Sequence, residues 1–174
     1  EEKPTEVVKK AKYQGKIITL GAIARINNNA QQLNPKAKKI LKESGLKLPF
    51  DNPFYNILAQ AIEIVHSIEE CQILLKKAWK MKKQTIPQLI VREGKGLGVA
   101  EAPRGTLYHY YEIDKNGLIK NCRIITPTAQ FLSSIEEDLK LFLPNLKKLS
   151  KKECERKIKM LIRAYDPCIS CATH

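Results

Sequence analysis

One long apolar run governs how this chain can fold: NPFYNILAQAIEIVHSIEECQILLKKAWK, residues 52–80. Ile57, Ala61, Ile64, Ile68, Cys71 and Leu75 recur at three and four residues, the spacing of one helix face. Leu58, Ile62, Val65 and Leu74 widen that face. Asp51-Asn52-Pro53 opens the run with a capping residue and a proline suited to a first helical position. A helix this long and apolar is predicted to be central, with the rest of the 174 residues packed around it as one domain.

The remaining elements follow from local signals. Residues 1–16 are polar and charged and read as a flexible lead-in, which leaves 17–174 as the folded part. KIITLGAIAR, Lys16 to Arg25, reads as a short strand, and Asn27 to Asn29 as a turn. Asn34-Pro35 starts a helix that ends near Ser44-Gly45. Pro87 and the glycines at 94, 96 and 98 break the pattern. Two β-rich runs, Thr106 to Ile113 and Leu118 to Thr126, flank Asp114-Lys115-Asn116-Gly117 and predict a β-hairpin. Helices are expected at about 129–143 and 150–165, parted by Pro144-Asn145. The class is α+β, predominantly helical with a β-hairpin.

Lys and Arg number 31 against 18 Asp and Glu, a formal net charge of +13. Lys147, Lys148, Lys151, Lys152, Arg156 and Lys159 fall mostly between Leu149, Ile158, Leu161, Ile162 and Tyr165, which is an amphipathic helix with a wet basic face. No aromatic residues interleave with those lysines, so a nucleic-acid partner is not expected. No apolar run approaches the length of a membrane span. The five cysteines are odd in number, without a secretory signal or a disulfide framework, and point to a reducing, cytoplasmic setting. The first residue is Glu1 and not methionine, which predicts a further piece upstream.

DPCISCATH, residues 166–174, carries the chemistry. Asp166 reads as an N-cap and Pro167 as a first helical residue, which would put Cys168 in a first turn where a thiolate is favoured. The three-residue spacing places Cys171 and His174 on the same side. A structural zinc site commonly needs four Cys or His ligands, and Cys71, Cys122 and Cys154 are isolated. A thioredoxin-type pair would sit near a βαβ unit, which is absent. The pair therefore suggests a metal site completed by another polypeptide.

GVAEAPRGTLYHYY (Gly98 to Tyr111), ITPTAQ (Ile125 to Gln130) and DPCISCATH together resemble the large, catalytic subunit of nickel–iron hydrogenases. ARINNN (Ala24 to Asn29) and NPFYNILAQAIEIVHSIE (Asn52 to Glu69) also look like that family, especially its cytoplasmic members from methanogens and their relatives. The likeness runs along nearly the whole chain but only to the C-terminal half of such a subunit, so half of that large-subunit fold is expected. It implies Cys168 as a terminal nickel thiolate and Cys171 as a bridge between nickel and iron, with CO and cyanide on the iron. Arg104 would overhang the open metal position. Thr128 and Arg104 would hydrogen-bond a cyanide, and Pro103 and Asp166 would wall the pocket. His174 would hold a magnesium ion with the backbone carbonyl near Ile124 and a carboxylate from the other half. In this family a tail is cut off after that histidine, so the end at His174 is expected to be the mature one.

The family's N-terminal C-x-x-C pair is absent, and Phe131 stands where asparagine is common. The implied partners are the N-terminal half of the large subunit, an iron–sulfur small subunit, and an electron-transfer subunit. The implied reaction is reversible oxidation of dihydrogen to protons and electrons. Heterolytic cleavage needs a soft thiolate-rich metal and a base, for which Cys168 qualifies and an arginine ordinarily does not, although the resemblance leaves Arg104 open as either base or electrostatic guide. The competing readings are a basic zinc-dependent module that binds nucleic acid or a protein partner, and a hydrogenase-like scaffold without catalysis. His66 and His109 read as packed histidines, Glu63 and Glu69 as solvated or paired, and Cys71, Cys122 and Cys154 as buried or incidental thiols. Gly94, Gly96 and Gly98 imitate a nucleotide loop, but no helix follows where one is needed.

Overall fold

The computed structural model describes residues 10–82, 85, 87, 88 and 90–173. Five helices form its body: α1 (Ala22–Asn29), α2 (Pro35–Glu43), α3 (Asn56–Ala78), α4 (Pro127–Phe142) and α5 (Lys151–Ala164). Between α3 and α4 lies an antiparallel sheet of three strands, β1 (Gly94–Ala102), β2 (Gly105–Ile113) and β3 (Ile119–Ile125), in that spatial order.

Short-range chemistry caps two of the five helix starts. Ser150 and Glu153 form a reciprocal capping box at the start of α5. Thr126 accepts from the Ala129 amide at 3.4 Å at the start of α4, with Pro127 at the first turn. Helix α2 is capped from a distance. Glu69 on α3 accepts from the Lys36 and Ala37 amides at 3.0 and 3.2 Å, while the Asn34 amide donates to His66 Nδ1 at 3.1 Å. His66 and Glu69 are thus structural partners of the α2 start.

The strand expected over Lys16 to Arg25 is not formed. Gly21 turns the chain at φ 86°, and α1 begins at Ala22. The buried side chain of Asn56 accepts from the Ile23 amide at 3.0 Å and so caps that helix. Asn27 to Asn29 correspondingly lie in helix and not in a turn. The described end of the lead-in is tied to α4: Ala11 N–H donates to the Ala129 carbonyl at 2.8 Å, and Lys10 pairs with Glu136.

The hairpin is present but is two-thirds of the sheet. Its turn closes as expected, with Asp114 Oδ1 accepting from the Asn116 and Leu118 amides at 2.8 and 2.9 Å and Gly117 at φ 81°. The unexpected strand is β1, GKGLGVAEA. Glycine weakens a strand, which hid it from propensity. The pairing explains it, because Gly94, Gly96 and Gly98 stand opposite Ile113, Tyr111 and His109, where bulk on β2 faces none on β1.

Two apolar clusters hold the helices. One joins Ile23, Ile26, Leu33, Ala37, Phe50, Ala59 and Ile62; the other joins Phe131, Ile135, Leu161 and Tyr165. Asn56 bridges them, since its Nδ2 donates to the Ala164 carbonyl at 2.7 Å. The long helix is not central within the described residues. It buries Asn56, Ala59 and Ile62, whereas the stripe Ile57, Ala61, Ile64, Ile68, Cys71 and Leu75 points outward. The helix is apolar on both sides, and this chain covers one of them.

Candidate metal centre

Three separate motifs meet at the C-terminal end of α5. Arg104 lies on the tight turn between β1 and β2. Its Nε donates to the Asp166 carbonyl at 2.6 Å and its Nη2 to Asp166 Oδ1 at 3.1 Å. Thr128, 1% exposed at the start of α4, uses Oγ1 to accept from the Cys168 amide at 3.1 Å. The sequence segments around residues 104, 128 and 166–171 are therefore one connected network. Gln130, buried on α4, adds a tie to β2 by donating to the Thr106 carbonyl at 2.6 Å, which fixes α4 against the Arg104 turn.

Asp166 does not cap a new helix. It has φ 52° and its amide donates to the Arg163 carbonyl at 3.0 Å, so it closes α5 in the left-handed conformation that ends helices. The following turn is a short 3₁₀ turn over Ser170–Ala172. The helix-dipole account of a Cys168 thiolate therefore does not hold here. What the conformation gives instead is a sharp change of direction that faces the Asp166 carbonyl and carboxylate toward Arg104.

Cys168 and Cys171 are brought together as expected, with Cα atoms 5.3 Å apart, but as a disulfide and not as two thiols. The Cys171 amide donates to the Cys168 carbonyl at 3.1 Å, and this turn puts both Cβ atoms on one side. That convergence serves a disulfide and a shared metal equally. Cys168 is half-buried and Cys171 exposed. Among the described residues no three His, Cys, Asp or Glu side chains gather around a point, and the candidate donors there are the two cysteine sulfurs.

The other expected residues fall as follows. His174 lies outside the described residues. Ile124, on β3, pairs with His109 on β2. Pro103 adjoins Arg104, and its carbonyl accepts from Arg25 Nη2 at 2.8 Å. His109 is half-buried beside Tyr111, ring nitrogen to hydroxyl 3.0 Å. Of the buried or incidental thiols expected, Cys71 and Cys122 are exposed, and Cys154 is half-buried with its thiol donating to the Leu146 carbonyl at 3.3 Å.

Tyr165 lies just before Asp166 and donates its hydroxyl to Asp138 on α4. Burial first, and then that carboxylate, push its phenol far above the ordinary range. The sequence places Tyr165 only in an apolar stripe. Asn56, Gln130 and Arg25 lie in family-like stretches, but their supporting roles are not legible there, because each acts on a partner remote in sequence.

The donor set fits a soft metal. Two sulfurs share one position, and a guanidinium and a hydroxyl are fixed on the segment that bears them. Comparison with known proteins agrees. The family model described as nickel-dependent hydrogenase matches residues 5–174. The alpha subunit of sulfhydrogenase 1 from Pyrococcus furiosus is 37% identical over 169 residues, covering 95% of this chain and 39% of that protein. The alpha subunit of sulfhydrogenase 2 from the same organism is 33% identical over 168 residues, covering 93% of this chain and 40% of that protein. An NAD+-reducing NiFe hydrogenase solved in its H2-reduced state superposes with a TM-score of 0.79 at 28% identity, over 99% of this chain and 40% of the other. The chain thus spans about two fifths of the length of these relatives, as a C-terminal part of their large subunit would. The chain belongs to the nickel-dependent hydrogenase family.

Proposed function

We propose that this chain supplies the C-terminal part of a hydrogenase catalytic subunit, which oxidises dihydrogen reversibly to protons and electrons. The observation that carries the reading is the joining of Arg104 to Asp166 and of Thr128 to Cys168 around one cysteine pair. Reduced, Cys168 and Cys171 would hold nickel, and Cys171 would also be a ligand of iron. When bound, such a centre supplies the soft Lewis acid at which dihydrogen is polarised. Cys168 Sγ takes the released proton, as a thiolate can and a permanently charged guanidinium cannot. Arg104, with Asp166 as counter-charge, keeps a fixed positive charge over the site. The Thr128 oxygen accepts from the chain, and its hydrogen remains to donate toward a cyanide on iron, beside CO. Pro103 and Asp166 wall the pocket. His174 and the Ile124 carbonyl, with a carboxylate from elsewhere, would hold magnesium.

A second polypeptide segment is part of this reading, since two sulfurs do not complete the centre. The outward face of α3 supports it. Ile57, Ile64, Ile68, Ile73, Leu74 and Leu75 are each 40–68% exposed. Burying a side chain of this kind contributes about 1.5–3 kcal/mol. A face so apolar fits a covering by the N-terminal half of the large subunit, which would bring the other C-x-x-C pair. An iron–sulfur small subunit, together with an electron-transfer subunit, would carry the electrons away. Among the described residues no helix is long and apolar enough to cross a membrane. A cytoplasmic, reducing setting suits sulfurs that must be thiolates to bind metal.

Metal analysis and infrared spectroscopy of the complex purified through this chain test the proposal. Nickel and iron in equal amounts at the site, with CO and cyanide stretching bands, are expected. Zinc alone, or no metal and no such bands, would refute it and favour the interaction-module or scaffold reading.

A further inference from the structure

Arg104 can face Asp166 only if the turn that carries it is held in place, and the structure shows a grip on both sides of that turn. On one side the backbone of residues 20–21 abuts it. A Cβ at Gly21 would lie 3.2 Å from the Arg104 carbonyl, and one at Gly105 2.8 Å from Leu20 Cβ. On the other side stands Arg25 of α1. Its Nη1 donates to the Ala102 carbonyl at 3.0 Å and its Nη2 to the Pro103 carbonyl at 2.8 Å. The same guanidinium is gripped by Glu63 of α3 at two points, Nε to Oε1 at 2.7 Å and Nη2 to Oε2 at 2.6 Å, and by Glu101 at 2.5 Å.

Five N–H groups therefore meet five acceptors, which uses the whole donor capacity of an arginine. Burial works against this charge, but the hydrogen bonds and charges of Glu63 and Glu101 outweigh it and hold the guanidinium above its ordinary value. The two-point fork with Glu63 sets the plane of the group, a constraint that a lysine's point charge cannot reproduce. The carbonyls it holds belong to the two residues just before Arg104. The Arg104 side chain itself is 40% exposed and is bonded to Asp166, so the direction in which it leaves the backbone rests largely on the turn.

We infer that Arg25, locked by Glu63, is a positioning residue that fixes the Ala102–Pro103 backbone and thereby places Arg104 at the metal centre. The inference rests on the reading of Arg104 as a site residue. It extends the site to a pair on α1 and α3 that lies in the family-like stretches ARINNN and NPFYNILAQAIEIVHSIE, to whose residues the resemblance gives no role.

The test uses the complex purified through this chain, with Arg25→Met, Arg25→Lys, Glu63→Gln, Arg104→Lys and the double variant Arg25→Met/Arg104→Lys. Nickel content, dihydrogen oxidation and amide exchange at Arg104 and Gly105 are read for each. Arg25→Met is expected to keep nickel, to lower turnover by about ten- to a hundredfold and to speed exchange at those two amides. Arg25→Lys should not restore turnover. The double variant should be no slower than Arg104→Lys alone, because a residue acting through Arg104 has nothing left to act on.

Additive losses in the double variant, or unchanged exchange in Arg25→Met, overturn the inference. If Arg25→Met fails to assemble, Glu63→Gln decides in the same way, since it keeps the side chain's shape and weakens the fork. If the parent complex holds no nickel, the hydrogenase reading fails separately. Exchange at Arg104 and Gly105 still decides whether Arg25 holds the turn.

Discussion

Replacing Thr128 by valine would remove one oxygen and almost no volume. That oxygen accepts from the Cys168 amide at 3.1 Å, in a residue that is 1% exposed. Much of the bonding of the Cys168–Cys171 segment is internal. The Cys171 and Ala172 amides bond to the Cys168 and Ile169 carbonyls, and Arg104 holds Asp166 just before the segment. A buried donor left without a partner costs about 1–3 kcal/mol. Cys168 is half-buried, so the lower part of that range applies, about 1–2 kcal/mol. Local opening of the segment should then rise roughly five- to thirtyfold. Hydrogen exchange of the Cys168 amide in the reduced, purified complex measures this directly. Thr128→Ser keeps the oxygen and should stay near the parent. Unchanged exchange in Thr128→Val, or equal opening in Thr128→Ser, would refute the claim that the hydroxyl anchors the cysteine segment.

Two further outcomes are expected. The Tyr165 phenol, raised by burial and by Asp138, keeps its proton when folded, whereas the unfolded chain loses it near the ordinary value of about 10. Its contribution is therefore fully present below about pH 10 and declines as pH rises further; denaturant melts at about pH 9 and about pH 11 should show a smaller loss in Tyr165→Phe than in the parent, and equal losses would count against it. Alkylation and mass analysis of the denatured, nickel-free chain, prepared in air without a reductant so that dioxygen can oxidise the pair, should find Cys71, Cys122 and Cys154 modified and Cys168 and Cys171 protected until reduction; five modified cysteines before reduction would exclude the pair as a disulfide.

What the sequence determined by itself is what depends on neighbours in the chain. The capping box of Ser150 and Glu153, the Asp114–Gly117 turn and the prolines at helix starts are local chemistry, and the elements they bound lie close to where they were expected. The cysteine spacing likewise made convergence of Cys168 and Cys171 legible, since three residues of one turn suffice. Tertiary structure decided the rest. Helix α1 replaces a strand because Asn56, 33 positions away, caps it. Strand β1 exists despite its glycines because β2 offers bulky residues opposite them. Asp166 ends a helix and does not begin one, because Arg104 meets its carbonyl and carboxylate across 62 positions. Periodicity could show that the long helix is apolar, but not which side this chain would cover. A helical period marks a face without naming its neighbour, and nothing among the described residues covers the outward face of α3.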